Sequence, residues 1–486
     1  MSERIIASGI DGPFQIGCAV PNPSQPRASA AFVMLSRNSE LDGVLKSMAS
    51  MERHFNQWYN YPWVFLNDEE FTDEFKETVK KHTSAEVEFG TIPKKEWDFD
   101  ESIDQEEFGE SIHSQGDRTI LYGNLASYHK MCRFYSGFFY KHELVQKRDW
   151  YWRVEPDVEF YCDITYDPFI EMEKRRKKYG FTVIIGELYY TVPGLFRETR
   201  AFIKKSQLQL RNAWNLFISD SKFTRGGNAA DYEGLHDPRD ILREIEDNLS
   251  IKKFLKLNKK NEKHVSEFNP RLLNKLAEKS KTLPILHEDR MDREDYNLCH
   301  FWSNFEIART DIFNSPLYEA YFEHLDKSGG FYKERWGDAP VHSLAVGMLL
   351  DLNEIHYFRD IGYRHANFAH CPRNSEKNQL RYKPSETYFR LNDLDQDKRW
   401  LRPDIPQKNG IGCRCRCPDN HKEIENASCL KDWVDKTAQN YKPLQPLDTD
   451  YYRIIIDERI DEYLANGGQL GYSNIADSLL NEGLVR

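Results

Sequence analysis

Short, almost wholly apolar runs alternate with an amphipathic stretch near the start of the chain. Residues 30–35 and 63–66 are continuous hydrophobic runs closed by polar side chains, and between them residues 41–55 repeat apolar positions at helical spacing. Continuous apolar strands joined by an amphipathic helix are typical of a parallel sheet that is covered on both faces. We therefore predict an α/β domain that begins strand, helix, strand.

Later segments extend this pattern. Residues 118–139 repeat apolar and aromatic positions as a helix does, and residues 183–190 form another buried strand. Three predicted strands end in polar residues, at 36–38, 67–68 and 155–157. Because ligands of parallel sheets bind outside the carboxyl ends of the strands, we expect these polar ends to meet at one binding edge.

The most informative polar end is Glu155-Pro156-Asp157, which follows an aromatic, apolar run. Two carboxylates at the rim of a buried strand are costly unless a cation meets them. Pro156 fixes its own φ and restricts Glu155 to an extended conformation, so we expect the acidic pair to be rigid. Oxygen ligands of this kind suit Mg²⁺ or Mn²⁺, which then bridge to the phosphates of a nucleotide. The alternative is a solvated turn.

Composition divides the chain into several parts. Residues 1–29 are rich in Pro, Gly and Ser and are predicted to be a mobile arm, which is followed by one domain over residues 30–430. Residues 222–292 are rich in Lys, Glu and Asn, which predicts a solvated, charged insertion in that domain. Its lysine clusters either contact a partner or form a plain solvated face. Residues 431–486 are predicted to be a C-terminal extension with an amphipathic helix.

Charge and hydropathy exclude two classes of partner. The net charge is −11 and the pI is near 5.8, which argues against a nucleic-acid-binding surface, since such a surface needs a basic face. No run of eighteen apolar residues occurs, and residues 1–20 have no basic segment followed by an apolar one. We therefore expect neither a signal peptide nor a membrane anchor in this chain.

The nine cysteines indicate disulfide bonds. Cys371, Cys413, Cys415, Cys417 and Cys429 fall in a segment that is rich in Pro, Gly and Asn and has little periodicity, and bridges would hold such a segment together. A zinc site is the alternative, although C-x-C-x-C does not supply two of the usual C-x₂₋₄-C pairs. An odd number of cysteines leaves at least one free thiol.

Long motifs rich in aromatic residues carry a family resemblance. They lie, in this order, at residues 32–38, 63–67, 128–139, 152–158, 296–306, 334–342 and 361–365. Through these motifs the chain resembles the fungal α-1,2-mannosyltransferases of glycosyltransferase family 15, over roughly residues 30–221 and 292–430. The charged insertion and the tail beyond about residue 435 lie outside this resemblance.

The resemblance implies a GT-A glycosyltransferase fold, in which a Rossmann-like mixed sheet is flanked by helices. It implies GDP-mannose as the donor, Mn²⁺ as the cofactor, an α-mannoside or a glycoprotein as the acceptor, and retention of the anomeric configuration. Members of this family are type II membrane proteins of the Golgi. The resemblance therefore implies a location in the Golgi lumen, with membrane attachment only through an anchor that is not expected in this chain.

The resemblance also implies a metal site. Glu155 resembles the family's metal-coordinating carboxylate, and His365 resembles the second protein ligand. Imidazole together with carboxylate accommodates Mn²⁺ better than Mg²⁺, which prefers oxygen ligands throughout. Asp157 would bind the metal through water. Without the resemblance, His365 would be interpreted as a structural histidine.

Glu306 ends the run from His300 and follows three aromatic side chains, so its carboxyl group should be partly desolvated and its pKa open to adjustment. The resemblance implies that it faces the anomeric carbon of the sugar. Two mechanisms remain open: Glu306 attacks and forms a glycosyl-enzyme, or it stabilises an oxocarbenium-like state while the acceptor attacks from the face of the departing GDP. The alternative is a buried glutamate in a salt bridge.

The resemblance gives roles to four further side chains. Tyr128 would lie near the diphosphate and the metal, Arg37 near the guanine nucleotide, and Asp338 near the mannose hydroxyls. Without the resemblance, Tyr128 would be an aromatic residue on the core face of a helix, Arg37 a surface arginine and Asp338 a turn-forming aspartate. Glu187 falls in an apolar strand, where a buried charge would need a partner, and we predict that it contacts the acceptor.

The expected activity is metal-dependent transfer of mannose from GDP-mannose to the 2-hydroxyl of an α-mannoside on protein-linked glycans. Mannosylphosphate transfer from the same donor is one alternative, and it would release GMP rather than GDP. A mannan-binding protein without catalytic activity is the other. It would be marked by the loss of Glu155, Glu306 or His365, all of which the chain retains.

Overall fold

The computed structural model describes residues 12–99, 103–219, 294–391, 396–418, 422–423 and 428–437. The chain divides into two compact units, one formed by Met1–Phe217 and Leu298–Tyr441 and the other by Ile218–Asn297 and Lys442–Arg486. The described part of the second unit is an antiparallel pair of short strands. All of the predicted site residues belong to the first unit. The predicted insertion at 222–292 lies outside the described residues.

The strands include a mixed sheet that forms the centre of the first unit. In chain order the strands are β1 (Ala30–Leu35), β2 (Trp63–Asn67), β3 (Val87–Thr91), β4 (Trp150–Arg153), β5 (Glu159–Phe160), β6 (Tyr179–Phe181), β7 (Ile184–Gly186), β8 (Ile218–Ser219), β9 (Asp295–Tyr296), β10 (Cys299–Phe301), β11 (Glu306–Arg309), β12 (Ile355–Tyr357), β13 (Tyr363–His365), β14 (Phe368–His370) and β15 (Lys422–Glu423). Seven of them form the central sheet in the order β12-β6-β11-β4-β1-β2-β3. All pairs are parallel except those of β11, which runs antiparallel to β4 and β6. The predicted mixed α/β sheet is confirmed.

Helices connect these strands. The α-helices described by the structure are Leu41–Met51, Gln57–Tyr59, Asp73–Lys81, Lys94–Trp97, Gln105–Asp117, Ala126–Gly137, Glu143–Gln146, Pro168–Lys174, Leu195–Lys205, Thr310–Phe313, Pro316–Ser328, Gly330–Lys333, Asp338–Leu349, Glu386–Leu391 and Ser428–Thr437. The predicted helix over 41–55 is present, with its end wound as a π-helix at Glu52–Asn56. None of the helices within the described ranges has the length and apolar character needed to cross a bilayer.

Two predicted elements are shorter in the structure than in the sequence pattern. The helix predicted from residue 118 begins only at Ala126, because Thr119 and Tyr122 have left-handed backbones with φ of 57° and 61°. A right-handed helix cannot run through such residues. The strand predicted over 183–190 is reduced to β7, and residues 189–191 form a 3₁₀ turn.

Aromatic side chains pack against one face of the central sheet. The Phe32 ring lies 4.6 Å from that of Trp63 and 5.7 Å from that of Trp152, measured between centroids. Trp152 in turn lies 5.2 Å from Phe305. All four side chains are fully buried, so neighbouring strands are joined through a continuous aromatic layer.

The arm predicted to be mobile is anchored in its described part, residues 12–29. Phe14 is buried and stacks on the His356 ring with their centroids 3.6 Å apart, and Cys18 forms a disulfide bond with Cys413. Apolar burial and a covalent bond therefore fix a segment whose Pro, Gly and Ser content predicted mobility.

Disulfide bonds, rather than zinc, account for the cysteines. The four bridges are Cys18–Cys413, Cys162–Cys415, Cys299–Cys429 and Cys371–Cys417, and Cys132 is the free, buried thiol. Each cysteine of the C-x-C-x-C segment bonds to a different distant part of the chain. The bridge at Cys429 also holds the helix Ser428–Thr437, which begins before the predicted domain boundary. The amphipathic helix predicted further along lies outside the described residues.

A buried cluster of charges joins the π-helix to the disulfide-bonded segment. The Asp163 carboxylate accepts hydrogen bonds from Arg53 Nη1 (3.0 Å), from His54 Nδ1 (2.8 Å) and from the Arg414 guanidinium. Burial by itself would raise the pKa of Asp163, but the two arginines and His54 outweigh burial and lower the pKa to about 2. The cluster is therefore an ion-paired clamp that depends on an ionised Asp163.

We expect this clamp to make the fold sensitive to acid. The folded-state pKa of Asp163 lies below its ordinary value of 3.8, so its stabilising effect is complete above about pH 4 and is lost as the pH falls through about 2. Asp163→Asn should lower the free energy of unfolding at neutral pH by about 3–5 kcal/mol, because two buried guanidinium groups lose their counter-ion. The substitution should also make the free energy of unfolding depend less on pH between pH 2 and 4. Denaturant unfolding across this range checks both. Glu69→Gln, at an exposed position, is the control. If the free energy of unfolding changed equally with pH in the wild type and in Asp163→Asn, Asp163 would not be the group that makes the fold sensitive to acid.

Candidate active site

The polar strand ends meet at one edge of the sheet, as predicted. Strands β2, β1 and β4 are parallel neighbours, so residues 36–38, 67–68 and 155–157 follow adjacent carboxyl ends. A polar cavity of about 360 Å³ opens at this edge. Its lining consists of Glu40, Lys46, Glu155, Pro156, Asp157, Arg364, His365 and Ala366. The structure thus brings the acidic pair and the predicted histidine ligand onto one cavity.

The turn that carries the acidic pair is packed against the first helix. Asp157 has a left-handed backbone (φ 63°), and its N–H donates to the Gly43 carbonyl at 3.0 Å. A Cβ at Gly43 would lie 2.7 Å from a carboxylate oxygen of Asp157 and 3.2 Å from Pro156 Cβ, so a larger residue there would displace the Asp157 side chain. Lys46 Nζ approaches the same carboxylate at 3.4 Å, and Ser47 Oγ donates to the Glu155 carbonyl at 2.8 Å. The acidic pair is therefore fixed by the first helix as well as by its proline.

Arg153 orients the Glu155 carboxylate. Its Nε donates to Glu155 Oε1 at 2.7 Å, its Nη1 donates to the Asp338 carboxylate, and its guanidinium carbon lies 3.4 Å from the centre of the Tyr135 ring. The other oxygen of Glu155 makes no hydrogen bond with the described residues. Burial raises the pKa of Glu155, and Arg153 opposes that rise. One oxygen is thus held in place and the other is left available to a ligand.

His365 is in a form that can bind a metal. It ends β13, and its Nδ1 lies 2.6 Å from the side-chain nitrogen of Asn304. Burial and, to a smaller degree, Arg153 lower the pKa of His365 to about 4, so the imidazole is neutral at neutral pH. The Asn304 Oδ1 atom is buried without a partner among the described residues. Turning this amide over would let its oxygen accept from Nδ1–H and leave the Nε2 lone pair free.

These two side chains fit a divalent cation with few protein ligands. Glu155 offers an unpaired oxygen and His365 an unprotonated nitrogen at the same cavity. Over the ranges that the structure describes, no group of three or more His, Cys, Asp or Glu could hold a metal ion. A mixed set of nitrogen and oxygen ligands suits Mn²⁺, with the remaining positions left to phosphate oxygens and water.

Asp338 belongs to the same charge network. It starts the helix Asp338–Leu349, and its carboxylate accepts from Arg153 and from Ser303 Oγ, the latter at 2.8 Å. Burial would raise the pKa of Asp338, but the Arg153 guanidinium reverses that effect and lowers the pKa. Asp338 is therefore not the turn-forming aspartate of the alternative interpretation, because its carboxylate accepts hydrogen bonds from side chains across the site.

A second arginine joins Tyr128 to Glu187. Arg335 Nη1 donates to the Tyr128 hydroxyl and its Nη2 donates to Glu187 Oε1, both at 3.4 Å. Burial raises the pKa of Tyr128 well above its ordinary value, so the hydroxyl stays protonated. Glu187, which follows β7, thus has the cationic partner that its apolar setting requires.

Glu306 lies in β11 but does not line the cavity. Its side chain is 0% exposed, and its two oxygens accept from the Tyr151 hydroxyl, from the Tyr179 hydroxyl (2.7 Å) and from His342 Nδ1 (3.1 Å). His342 Nε2 lies 2.9 Å from the Tyr135 carbonyl, so both ring nitrogens face acceptors. Burial would raise the pKa of Glu306, but His342 and the tyrosine hydroxyls lower it overall. The expected desolvation is confirmed, whereas the expected position facing the sugar is not seen, because buried donors enclose the carboxylate.

Arg37 follows β1 at the same edge, where its side chain is 65% exposed and pairs loosely with Glu40 at 3.7 Å. This is the surface arginine of the alternative interpretation, and its contact with a nucleotide stays a prediction.

The residues that hold the site together were not predicted from the sequence. These are Arg153, Ser303, Asn304, Arg335 and His342. Arg153 carries a signal that could have been used, because side chains two residues apart on a strand share a face and Glu155 lies two residues further on. The other four lie within the family motifs but have no local pattern that marks their partners.

Two solved structures share this fold. The X-ray structure of the mannosyltransferase Ktr4p from Saccharomyces cerevisiae in complex with GDP aligns with a TM-score of 0.59 and 29% identity, covering 90% of each chain. Core-mannan synthase A (CmsA/Ktr4) from Aspergillus fumigatus, in its Mn/GDP form, aligns with a TM-score of 0.54 and 35% identity, covering 77% of this chain and 83% of that chain. The fold and the site define a glycosyltransferase of the GT-A type.

A family model described as Glycolipid 2-alpha-mannosyltransferase matches residues 13–228 and 240–404. The Probable mannosyltransferase KTR7 of Saccharomyces cerevisiae is 46% identical over 430 residues, which cover 86% of this chain and 78% of the relative. The chain therefore belongs to glycosyltransferase family 15 and is a mannosyltransferase. The family match runs through residues 240–292, so most of the charged segment falls within the family pattern, contrary to expectation.

Proposed function

We propose that this enzyme transfers mannose from GDP-mannose to the 2-hydroxyl of an α-mannoside on protein-linked glycans, with retention of configuration. The observation that carries the proposal is the pairing of Glu155 and His365 on one polar cavity at the carboxyl edge of the sheet. A related structure with Mn and GDP supports the choice of metal and nucleotide. We assign the activity to residues 30–430.

Glu155 and His365 are the side chains that would hold Mn²⁺. When bound, the metal supplies positive charge that neutralises the diphosphate and stabilises GDP as the leaving group. Arg153 keeps the Glu155 carboxylate oriented before the donor arrives, so little reorganisation is needed on binding. Asp157 and Lys46 extend the same lining.

Other predicted site residues are assigned to the two sugars and the nucleotide. We assign Tyr128 and Asp338 to the donor, where a protonated hydroxyl and a fixed carboxylate can orient phosphate and mannose hydroxyls. Arg37 is assigned to the nucleotide because its exposed guanidinium can offer a planar pair of donors. Glu187 is assigned to the acceptor. Glu306, enclosed by its own partners, is assigned to holding β4, β6 and β11 in register rather than to attack on the sugar.

The disulfide bonds support an oxidising compartment. Four bridges occupy eight of the nine cysteines, and such bridges form and persist in the secretory pathway rather than in the cytosol. Together with the family, this supports action in the Golgi lumen.

A product assay tests the proposal. The purified protein is incubated with GDP-mannose, Mn²⁺ and methyl α-mannoside, with and without EDTA. We expect an EDTA-sensitive α-1,2-linked dimannoside and one GDP for each bond formed. Release of GMP with a phosphodiester-linked product would instead identify a mannosylphosphate transferase. A different linkage in the dimannoside would overturn the assignment of the 2-hydroxyl as the acceptor group.

A further inference from the structure

A tyrosine projects from a strained turn beside the site. Residues 118–125 connect two helices, and within them the Gly123 N–H donates to the Ile120 carbonyl at 2.8 Å. Tyr122 occupies the third position of this turn with φ 61°, and it is 48% exposed. Glycine and asparagine are the usual residues at such a position, because most other side chains are disfavoured there. A tyrosine therefore occupies a place that backbone preference would give to another residue.

The exposed ring is connected to the candidate active site through direct contacts. Tyr122 stacks on Tyr128 with the ring centroids 4.8 Å apart and the planes 28° apart. The Tyr128 hydroxyl meets Arg335, which in turn meets Glu187. Tyr122 thus covers the ring of a proposed donor residue on one side and faces solvent on the other.

This combination of groups suits a carbohydrate. The flat ring of Tyr122 offers an apolar surface for the C–H face of a pyranose, while Glu187 and Arg335 offer an acceptor and donors for sugar hydroxyls. Leu121 and Leu125, which are 49% and 45% exposed, extend the apolar surface along the same turn. A charged or nucleotide ligand would not require such an apolar border.

We propose that Tyr122 contacts the acceptor mannoside by stacking against its sugar ring. This inference rests on the proposed function, because it takes Tyr128 as a donor residue. In any transfer between two sugars the acceptor hydroxyl must lie against the donor sugar, and Tyr122 packs directly on Tyr128. The strain of the turn also agrees with a functional role, since proteins depart from local backbone preference mainly at functional sites.

Tyr122→Asn provides a sharp test because asparagine suits the left-handed turn. We expect the variant to melt at the same or a higher temperature and to raise the KM for methyl α-mannoside about tenfold, through loss of the aromatic surface. The KM for GDP-mannose and the affinity for GDP should stay within twofold. Tyr122→Phe and Tyr122→Trp, which keep an aromatic surface, should retain most of the acceptor affinity. Ile405→Asn, which removes an exposed apolar side chain elsewhere, is the matched control.

Two kinetic results would overturn this assignment: an unchanged acceptor KM in Tyr122→Asn, or an equal rise in the KM for GDP-mannose, which would mean that Tyr122 only supports Tyr128. Binding of methyl α-mannoside in the presence of GDP and Mn²⁺, followed by saturation-transfer NMR, gives a readout that needs no turnover. Weaker binding in Tyr122→Asn supports the contact even if the wild type forms no dimannoside, an outcome that would count against the proposed function alone. Unchanged binding would overturn the contact.

Discussion

Glu155→Gln and His365→Ala are each expected to lower the rate of mannose transfer by about a thousandfold, because each removes one of the two side chains proposed to hold the metal beside the departing diphosphate. Neither change should unfold the protein. Among the residues that the structure describes, one carboxyl oxygen of Glu155 accepts no hydrogen bond, and His365 ends a short hairpin strand at the cavity. The transfer assay, run over a range of Mn²⁺ concentrations, measures the loss.

The Mn²⁺ dependence separates a lost ligand from a damaged site. We expect the residual activity of both variants to need much more Mn²⁺, and direct titration should show weaker metal binding by the purified proteins. Glu110→Gln and His113→Ala provide controls, since both residues lie on the helix Gln105–Asp117 and are exposed to solvent. Wild-type turnover with an unchanged Mn²⁺ requirement in either site variant would remove that side chain from the metal site.

Glu306 should affect stability more than chemistry. Glu306→Ala is expected to lower the free energy of unfolding by about 3–5 kcal/mol, because it leaves a buried His342 and two tyrosine hydroxyls without their acceptor. Glu306→Gln should cost less. Its amide can still accept from Tyr151, and it can donate to His342 Nδ1 once that ring holds its single proton on Nε2. Denaturant unfolding of both variants checks this order.

Turnover by folded Glu306→Gln then decides its role. We expect the rate per folded molecule to stay within about tenfold of the wild type, because the carboxylate is fully buried among its own hydrogen-bond donors. His342→Gln, which changes the other member of the pair, should reduce stability without a separate loss of turnover. A Glu306→Gln variant that folds normally, binds GDP and yet has almost no turnover would restore the interpretation of Glu306 as a group facing the sugar.

The sequence was sufficient for elements that depend on local pattern. Continuous apolar runs predicted β1 and β2, and their parallel order brought Glu155 and Asp157 to the expected edge. His365 reached the same cavity only because a family motif singled it out, since one histidine in a short hairpin has no distinctive local pattern.

The remainder depends on contacts between distant residues. Arg153 joins Glu155 to Asp338 across 185 positions of sequence, and no periodicity encodes that partner. Phe14 lies in a segment whose composition predicted mobility, yet it stacks on His356. Tyrosine seldom adopts the left-handed backbone that Tyr122 has, so the predicted helix wrongly included this turn. Tertiary packing decides such positions, and it is not contained in any short window of sequence.

The pairing of the C-x-C-x-C segment determines when the domain can be completed during synthesis. Cys18 emerges from the ribosome long before its partner, which lies 395 positions later, and Cys162 and Cys371 likewise wait for cysteines that follow them. The native bridges therefore close only after nearly the whole catalytic unit has been synthesised. A chain cut short before residue 413 would lack all four, since Cys413, Cys415, Cys417 and Cys429 supply one partner to each bridge. The last part of the domain to be made thus joins the earlier parts covalently.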